Sequence, residues 1–140
     1  MKTILRMLAV VSAVVCMVLF AASCSSQSSP KDVANQAMEY MKKGDIDKFL
    51  DLLYVTEDTS AEEVERGKAL IKAMYEGKAK AQLEKKQGIK SYEVTDEKMN
   101  EEGDQCKVYY KVVYGDGSEN EKTVSTQKDK NGKWWICLLY

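Results

Sequence analysis

The spacing of apolar residues changes once along this chain, near residue 89, and this change limits the folds that the chain can adopt. Before it, apolar residues recur at every third or fourth position, which is typical of amphipathic helices. After it, they alternate with polar residues, which indicates strands that bury one face. Because the helices precede the strands instead of alternating with them, the sequence predicts an α+β fold.

Three helices are expected in the first half. The first begins at Ser29-Pro30, because serine can cap a helix and proline is favoured at its first position. The second is short and spans about residues 45–54. The third is the longest and spans residues 60–88, from a Ser-Ala-Glu-Glu capping box to a terminating glycine. Its apolar stripe consists of Val64, Ile71, Met74, Tyr75 and Leu83.

Four strands are expected in the second half. A weak strand near residues 90–99 precedes a strong one at 106–114, a polar one near 121–128 and an apolar one at 134–140. The turn sequences GDGS and NG separate the last three, which predicts an antiparallel meander. The inward face of the strong strand carries Cys106, Val108, Tyr110, Val112 and Tyr114.

The first 24 residues have the three parts of an export signal. Two basic residues precede an uncharged apolar run at residues 7–20, and the small residues Ala-Ala-Ser then precede Cys24. This arrangement resembles the lipobox of bacterial lipoproteins. The resemblance implies cleavage between Ser23 and Cys24, and diacylglycerol and palmitate on Cys24. The expected product has a signal peptide at 1–23, a polar tether at 24–29 and a folded domain at 30–140.

One alternative to lipidation stays open and another is disfavoured. Ala21 occupies the position where leucine is commonest, so ordinary secretory cleavage after Ser23 also fits the sequence. The apolar run is shorter than the roughly 20 residues that a membrane span needs. Ser25 follows the cysteine where aspartate would favour retention in the inner membrane, and no acidic run comes next. By resemblance to known sorting signals, we expect an outer-membrane protein that faces the periplasm.

Composition excludes several classes of function. The chain contains no histidine, so Ser–His and Cys–His catalysis are excluded and a zinc enzyme is disfavoured. We expect no cofactor and no metal. Cleavage removes only Lys2 and Arg6 among the charged residues, which leaves 19 basic and 22 acidic residues. This acidic balance argues against a nucleic-acid partner, because phosphate binding needs a basic surface.

Two short motifs support a family resemblance over residues 30–140. The stretch KGDID at 43–47 is similar to the joint between the first two helices of the nuclear transport factor 2-like (cystatin-like α+β) superfamily. The stretch NGKWWI at 131–136 is similar to the start of its last strand. The whole chain resembles small lipoproteins of Bacteroides-type bacteria that are known only by a domain of unknown function. The resemblance implies three helices on a curved four-stranded antiparallel sheet that encloses a cone-shaped pocket.

The aromatic residues are candidates to line that pocket, although plain core is the favoured interpretation of Trp134. Isomerases of this superfamily use a carboxylate beside a tyrosine, but the predicted inward strand faces hold no Asp or Glu, and Asp51 and Glu76 lie only beside the helix stripes. We therefore expect a non-catalytic domain that binds a small molecule, a peptide or a protein. An isomerase or dehydratase is the alternative. The candidate pocket residues are Tyr54, Tyr75, Tyr110, Tyr114 and Trp134.

Two further predictions concern the last strands. Cys106 and Cys137 are either a disulfide or, preferably, two buried free thiols. A whole strand separates theirs, which puts their Cα atoms roughly 9–10 Å apart, whereas a disulfide needs less than about 7 Å. Trp135, Cys137 and Leu139 should emerge on the outer face of the sheet. An apolar outer face suggests a homodimer through the sheets.

Overall fold

The computed structural model describes residues 27–138, which form one antiparallel sheet and the helices that flank it. The predictions on Ser23, Cys24 and Leu139 lie outside the described residues. The strands are β1 (Ile89–Met99), β2 (Gln105–Tyr114), β3 (Glu119–Lys128) and β4 (Trp134–Cys137), and they pair in the order β1-β2-β3-β4. The predicted α+β class and the four-stranded antiparallel meander are confirmed.

The helices agree with the prediction in position but not in number. They are α1 (Pro30–Lys43), α2 (Ile46–Leu50), α3 (Ala61–Met74) and α4 (Lys80–Lys85), with a π turn (Tyr75–Ala79) between α3 and α4. The predicted third helix is therefore two α-helices joined through a π turn, and together we call these three segments the long helix. The predicted capping box is present, because Ser60 Oγ accepts from Glu63 N at 3.2 Å and Glu63 Oε2 accepts from Ser60 N at 3.0 Å.

The second helix is shorter than predicted because the residues after it pair with the sheet. The backbone N–H of Ile136 donates to Leu52 O at 2.7 Å, and Tyr54 N–H donates to Ile136 O at 2.7 Å. Leu53 thus forms a parallel bridge to Ile136. An extended backbone that satisfies these bonds is incompatible with helix, so α2 ends at Leu50.

The hydrophobic core lies between α1 and the inward face of the sheet. All five residues predicted on the inward face of β2 are buried, and Val108 and Tyr110 have no exposed surface. Trp134 is also in this core. Among residues 27–138, every residue of the core cluster lies between Val33 and Ile136. A fragment of residues 25–140 contains this cluster, and we expect it to fold.

The long helix, by contrast, has no fully buried residue. Met74, predicted to face the core, is 66% exposed. Two ion pairs tie α3 to α2: Lys68 lies 3.2 Å from Asp51, and Lys72 lies 2.9 Å from Asp47. Exposed ion pairs of this kind contribute little stability. The apolar stripe of the long helix therefore faces open space as well as protein.

Gln27, predicted to belong to a polar tether at 24–29, instead pairs with the edge of the sheet. Trp134 N–H donates to Gln27 O at 3.0 Å, and Gln27 Nε2 donates to Trp134 O at 2.9 Å. Gln27 is consequently 8% exposed. Within residues 27–138, no helix combines the length and the apolar character that a bilayer crossing requires.

Candidate functional site

A large open groove lies between the long helix, α2 and the end of β4. Its volume is about 1240 Å³. The groove exists because the apolar stripe of the long helix approaches α2 and β4 without closing onto them. Its lining is mainly aliphatic and aromatic and includes Ile46, Phe49, Leu53, Val64, Ile71, Met74, Tyr75, Ile136 and Leu138.

A second space, which we call the inner cavity, continues from the groove along the sheet. It has a volume of about 710 Å³ and reaches Val112, Tyr114 and Val124 on β2 and β3. Phe49 and Ala79 line both spaces. The groove and the inner cavity therefore form one continuous apolar site that runs from α3 to the middle of the sheet.

A third space, the recess, adjoins the other end of the groove. Its volume is about 520 Å³, and it shares Tyr54, Val64 and Lys68 with the groove. Its outer wall is formed by Trp135 and by residues 129–131 of the β3–β4 turn. This turn precedes Trp134, so the recess lies at the end of the molecule where Gln27 pairs with the sheet.

The structure brings together only part of the predicted pocket. Tyr54 and Tyr75 line the groove, and Tyr114 lines the inner cavity. The pocket role predicted for Tyr110 is corrected, because Tyr110 lines none of these three spaces. Trp134 lines none of them either, which confirms the favoured interpretation of this residue as core. Helix α1 covers both residues, and Tyr110 Oη donates to Asn35 Oδ1 at 2.7 Å beneath it.

Other lining residues were missed as site residues although their pattern was visible. Ile71 and Met74 belong to the apolar stripe of the long helix, which we interpreted as core. Phe49 belongs to α2 and faces the same space. A helical period shows that a face is apolar, but it does not show whether that face meets protein or a cavity. The sequence alone therefore gives no signal that separates these residues from core.

The lining offers little acid–base chemistry. Among the residues that line the groove and the inner cavity, Glu63 is the one carboxylate, and it is engaged in the helix cap. Asp51 lines only the recess, where it pairs with Lys68, and Glu76 is exposed and lines none of the three spaces. Within residues 27–138, the Cys, Asp and Glu side chains form no cluster of three that would hold a metal ion.

A tyrosine–carboxylate pair does exist, but it lies under α1 and outside these spaces. Tyr92 Oη donates to Glu39 Oε2 at 2.8 Å. This hydrogen bond lowers the pKa of Glu39, while burial, reinforced by the same bond, raises the pKa of Tyr92 to about 12. Near neutral pH, Glu39 is therefore ionised and Tyr92 protonated. The pair links α1 to β1 and does not meet the groove.

The two cysteines are free thiols. Cys106 aligns with Ile136 through Thr126, so the next residue, Cys137, points to the opposite face of the sheet. The register of the strands therefore rules out the disulfide alternative. Of the two thiols, Cys106 is buried and Cys137 is partly exposed. Burial also raises the pKa of the Cys106 thiol.

Trp135 lies in the wall of the recess and not on a bare sheet face. Its Nε1 donates to Asp129 Oδ2 at 2.8 Å, and Lys133 Nζ lies 4.6 Å from its ring centroid. The hydrogen bond from Trp135 is the largest cause that lowers the pKa of Asp129. The homodimer through Trp135 and Leu139 stays a prediction.

Comparison with known proteins supports this description of the fold. A crystal structure from Campylobacter jejuni, of a protein provisionally named an NTF2-like transpeptidase, is similar to this chain with a TM-score of 0.65 and 21% sequence identity. The similarity covers 79% of this chain and 98% of that one. At this identity it shows an NTF2-like fold and nothing about activity. No curated protein matches the chain. Residues 22–137 match the family described as Domain of unknown function (DUF4878), so the chain belongs to that family.

Proposed function

We propose that this chain is a lipid-anchored protein of the cell envelope whose domain binds a ligand in the groove without catalysing a reaction. The apolar groove of about 1240 Å³ is the observation that carries the proposal. Ordinary ligand pockets measure about 300–1000 Å³ and combine apolar walls with few polar groups. A groove of this kind suits a small molecule, a peptide or a segment of a partner protein.

The lining favours binding over catalysis. An isomerase or dehydratase of this fold needs a carboxylate inside an apolar cavity, and a transpeptidase needs a nucleophile with an activating base. Glu63 is committed to a helix cap, and the chain has no histidine to activate Cys137 in the groove wall. The residues that line the groove therefore do not support a transpeptidase activity for this chain.

The anchor rests on the sequence around Cys24. We propose cleavage between Ser23 and Cys24, diacylglycerol on Cys24, and a location in the outer membrane on its periplasmic side. Mass spectrometry of the mature N-terminus from the native host tests this directly. A diacylglyceryl mass on Cys24 is expected, whereas an unmodified cysteine there would refute the anchor.

Filling the groove tests ligand binding. Ala79 lines both the groove and the inner cavity, while Ala81 lies two residues further along the same helix and is exposed. We expect the 25–140 fragment to bind the neutral apolar dye Nile red, Ala79→Trp to weaken this binding at least tenfold, and Ala81→Trp to leave it unchanged. Equal dye binding by all three proteins would remove the proposed site.

A further inference from the structure

The charged residues that line the groove and the inner cavity are mostly basic, whereas the carboxylates of Asp51, Glu57, Asp58 and Asp129 line the recess at the other end. The lining of the groove and the inner cavity contains a single carboxylate, that of Glu63, although the whole chain has 22 acidic and 21 basic residues. A cation-rich rim on a weakly acidic protein concentrates positive potential at the mouth of the site. The lysines that line the groove and the inner cavity are Lys68, Lys78, Lys85, Lys86 and Lys122.

Three of these lysines have no anionic partner within residues 27–138. Lys68 pairs with Asp51, and Lys86 Nζ lies 4.4 Å from the ring centroid of Tyr114. Lys78, Lys85 and Lys122, in contrast, form no ion pair with any described residue. Their ammonium groups are available to an anionic ligand, and they lie along the mouth of an otherwise apolar site.

The shape of the site favours a long, narrow ligand. The segment of the long helix from Val64 to Ala79, which lines the groove, is roughly 22 Å long at about 1.5 Å per residue. One lipid acyl chain spans about half of a bilayer core of roughly 30 Å, or about 15 Å. An aliphatic chain can therefore lie along the groove, with its polar end among the lysines that border the inner cavity.

We infer that the ligand of this site is an amphiphile with one aliphatic chain and an anionic head group, of the fatty-acid type. The inference rests on the proposed function, because it names the ligand class of the proposed groove. Apolar contacts along the groove hold the chain, and Lys78, Lys85 and Lys122 attract the head group. Neutral and cationic amphiphiles of equal chain length gain the first interaction but not the second.

Displacement of Nile red from the 25–140 fragment tests the head group. Dodecanoate, dodecanol and dodecyltrimethylammonium share one chain length and differ in charge, and all are used below their micelle concentrations. We expect dodecanoate to displace the dye with at least tenfold higher affinity than the cation. Shortening the acid to decanoate should weaken it about fourfold per methylene. Equal displacement by all three would overturn the inference and leave the groove standing as a binding site.

Reversing the charge of two lysines tests their role. Lys85 and Lys122 both line the inner cavity, whereas Lys80 and Lys90 are exposed and line none of the three spaces. We expect the double variant Lys85→Glu/Lys122→Glu to weaken dodecanoate about tenfold and to leave dodecanol unchanged. The matched variant Lys80→Glu/Lys90→Glu keeps the same net charge and should bind like wild type. Equal weakening by both variants would show that only net charge matters and would overturn the inference.

Two ligands distinguish the source of the amphiphile. Dodecanoate represents a free fatty acid, and lauroyl-lysophosphatidylglycerol represents a chain still attached to a phospholipid head. Displacement by either supports the inference, and the tighter of the two identifies the source. If Ala79→Trp abolishes dye binding but neither lipid displaces the dye from wild type, the inferred ligand class is overturned and the proposed function is left intact. If Ala79→Trp binds the dye as well as wild type does, the proposed function is overturned instead.

Discussion

At the scale of single residues, two tyrosine hydroxyls on the sheet hold α1 in position. Tyr110 Oη donates to Asn35 Oδ1, and Tyr92 Oη donates to Glu39 Oε2 one helical turn further along. Their rings also meet edge to face, with centroids 6.0 Å apart. Hydroxyls that are satisfied in this way anchor the rings without a cost for burying a polar group. These tyrosines are structural, which explains why the predicted pocket role of Tyr110 was wrong.

Replacing Tyr92 by Phe should destabilise the domain in a pH-dependent manner. The pKa of Tyr92 is raised from 10.0 to about 12. The contribution of its hydroxyl to the stability of the folded state is therefore complete below pH 10 and is lost as the pH rises from 10 to 12. The pKa of Glu39 is lowered from 4.5. The contribution of its carboxylate to the stability of the folded state is therefore complete above pH 4.5 and is lost as the pH falls through the lowered pKa. We expect the midpoint of thermal unfolding of Tyr92→Phe to lie a few degrees below wild type at pH 7.

The difference between wild type and Tyr92→Phe should therefore be largest between about pH 5 and pH 9. It should shrink towards both pH extremes. Thermal unfolding followed by circular dichroism from about pH 3 to pH 12 measures this difference. A difference that stays constant from pH 4 to pH 11 would show that the variant changes packing and not the Tyr92–Glu39 hydrogen bond.

The two thiols should differ in reactivity. Cys106 is 3% exposed and burial raises its pKa, whereas Cys137 is partly exposed at the end of β4. Because alkylation needs an accessible thiolate, iodoacetamide should modify Cys137 in the native 25–140 fragment and leave Cys106 unmodified. Peptide mass spectrometry distinguishes the two sites, and both should react in denaturant. Equal modification of both in the native state would contradict this register of β2 and β4.

At the scale of elements, the β2–β3 turn packs against the end of the long helix. Gly115 N–H donates to Gly88 O at 2.9 Å, and Asp116 N–H donates to Lys86 O at 3.0 Å. A Cβ atom added to Gly115 would overlap the backbone carbonyl of Gln87. The turn thus closes against a rigid surface, and it holds the C-terminal end of a helix that has few other contacts.

Substituting Gly115 by Ala should separate these two elements. We expect Gly115→Ala to lower the free energy of unfolding by roughly 1–3 kcal/mol, as overpacking does elsewhere. Gly67 in α3 is a suitable control, since no atom lies within 4 Å of an added Cβ. Gly67→Ala should raise stability by roughly 0.5–1 kcal/mol through helix propensity. Urea unfolding measures both, and a neutral Gly115→Ala would show that the turn yields to the added methyl.

The elements that the sequence predicted well are those with local signals. The strand period, the capping box at Ser60 and the turn glycines each depend on residues within a few positions, so β2, the start of α3 and both hairpins were predicted. The end of α2 was not predicted, because it depends on the pairing of Leu53 with Ile136. These residues are far apart in the sequence, and no nearby residue signals that they pair. The π turn has no recognisable signal either.

At the scale of the whole molecule, the site depends on how far the long helix lies from α2 and β4. The stripe through Ile71 and Met74 predicts an apolar face, and burial is its usual consequence. Here the face lines a groove, because α1 already covers the inward face of the sheet. Tyr54 and Tyr75 were predicted as pocket residues from their chemistry, but no sequence pattern distinguishes them from Tyr110, whose position is set by α1.

The contact between Gln27 and Trp134 also has a consequence for the whole molecule. If Cys24 carries the proposed lipid, only three residue steps separate the anchor from Gln27, and an extended chain of this length spans at most about 11 Å. The end of the domain that contains the β3–β4 turn and the recess is then held close to the bilayer. Trp134 and Trp135, the two tryptophans of the chain, both lie at this end.

Energy transfer from these tryptophans to dansyl-labelled lipid head groups measures that distance. We expect strong transfer for the lipidated protein in vesicles. Ten Gly and Ser residues inserted between Ser26 and Gln27 should reduce it, because they lengthen the tether and leave the Gln27–Trp134 hydrogen bonds intact. The same ten residues added after Tyr140 are the control and should leave transfer unchanged. Transfer that is insensitive to the insertion would mean that another surface, and not the tether, positions the domain on the membrane.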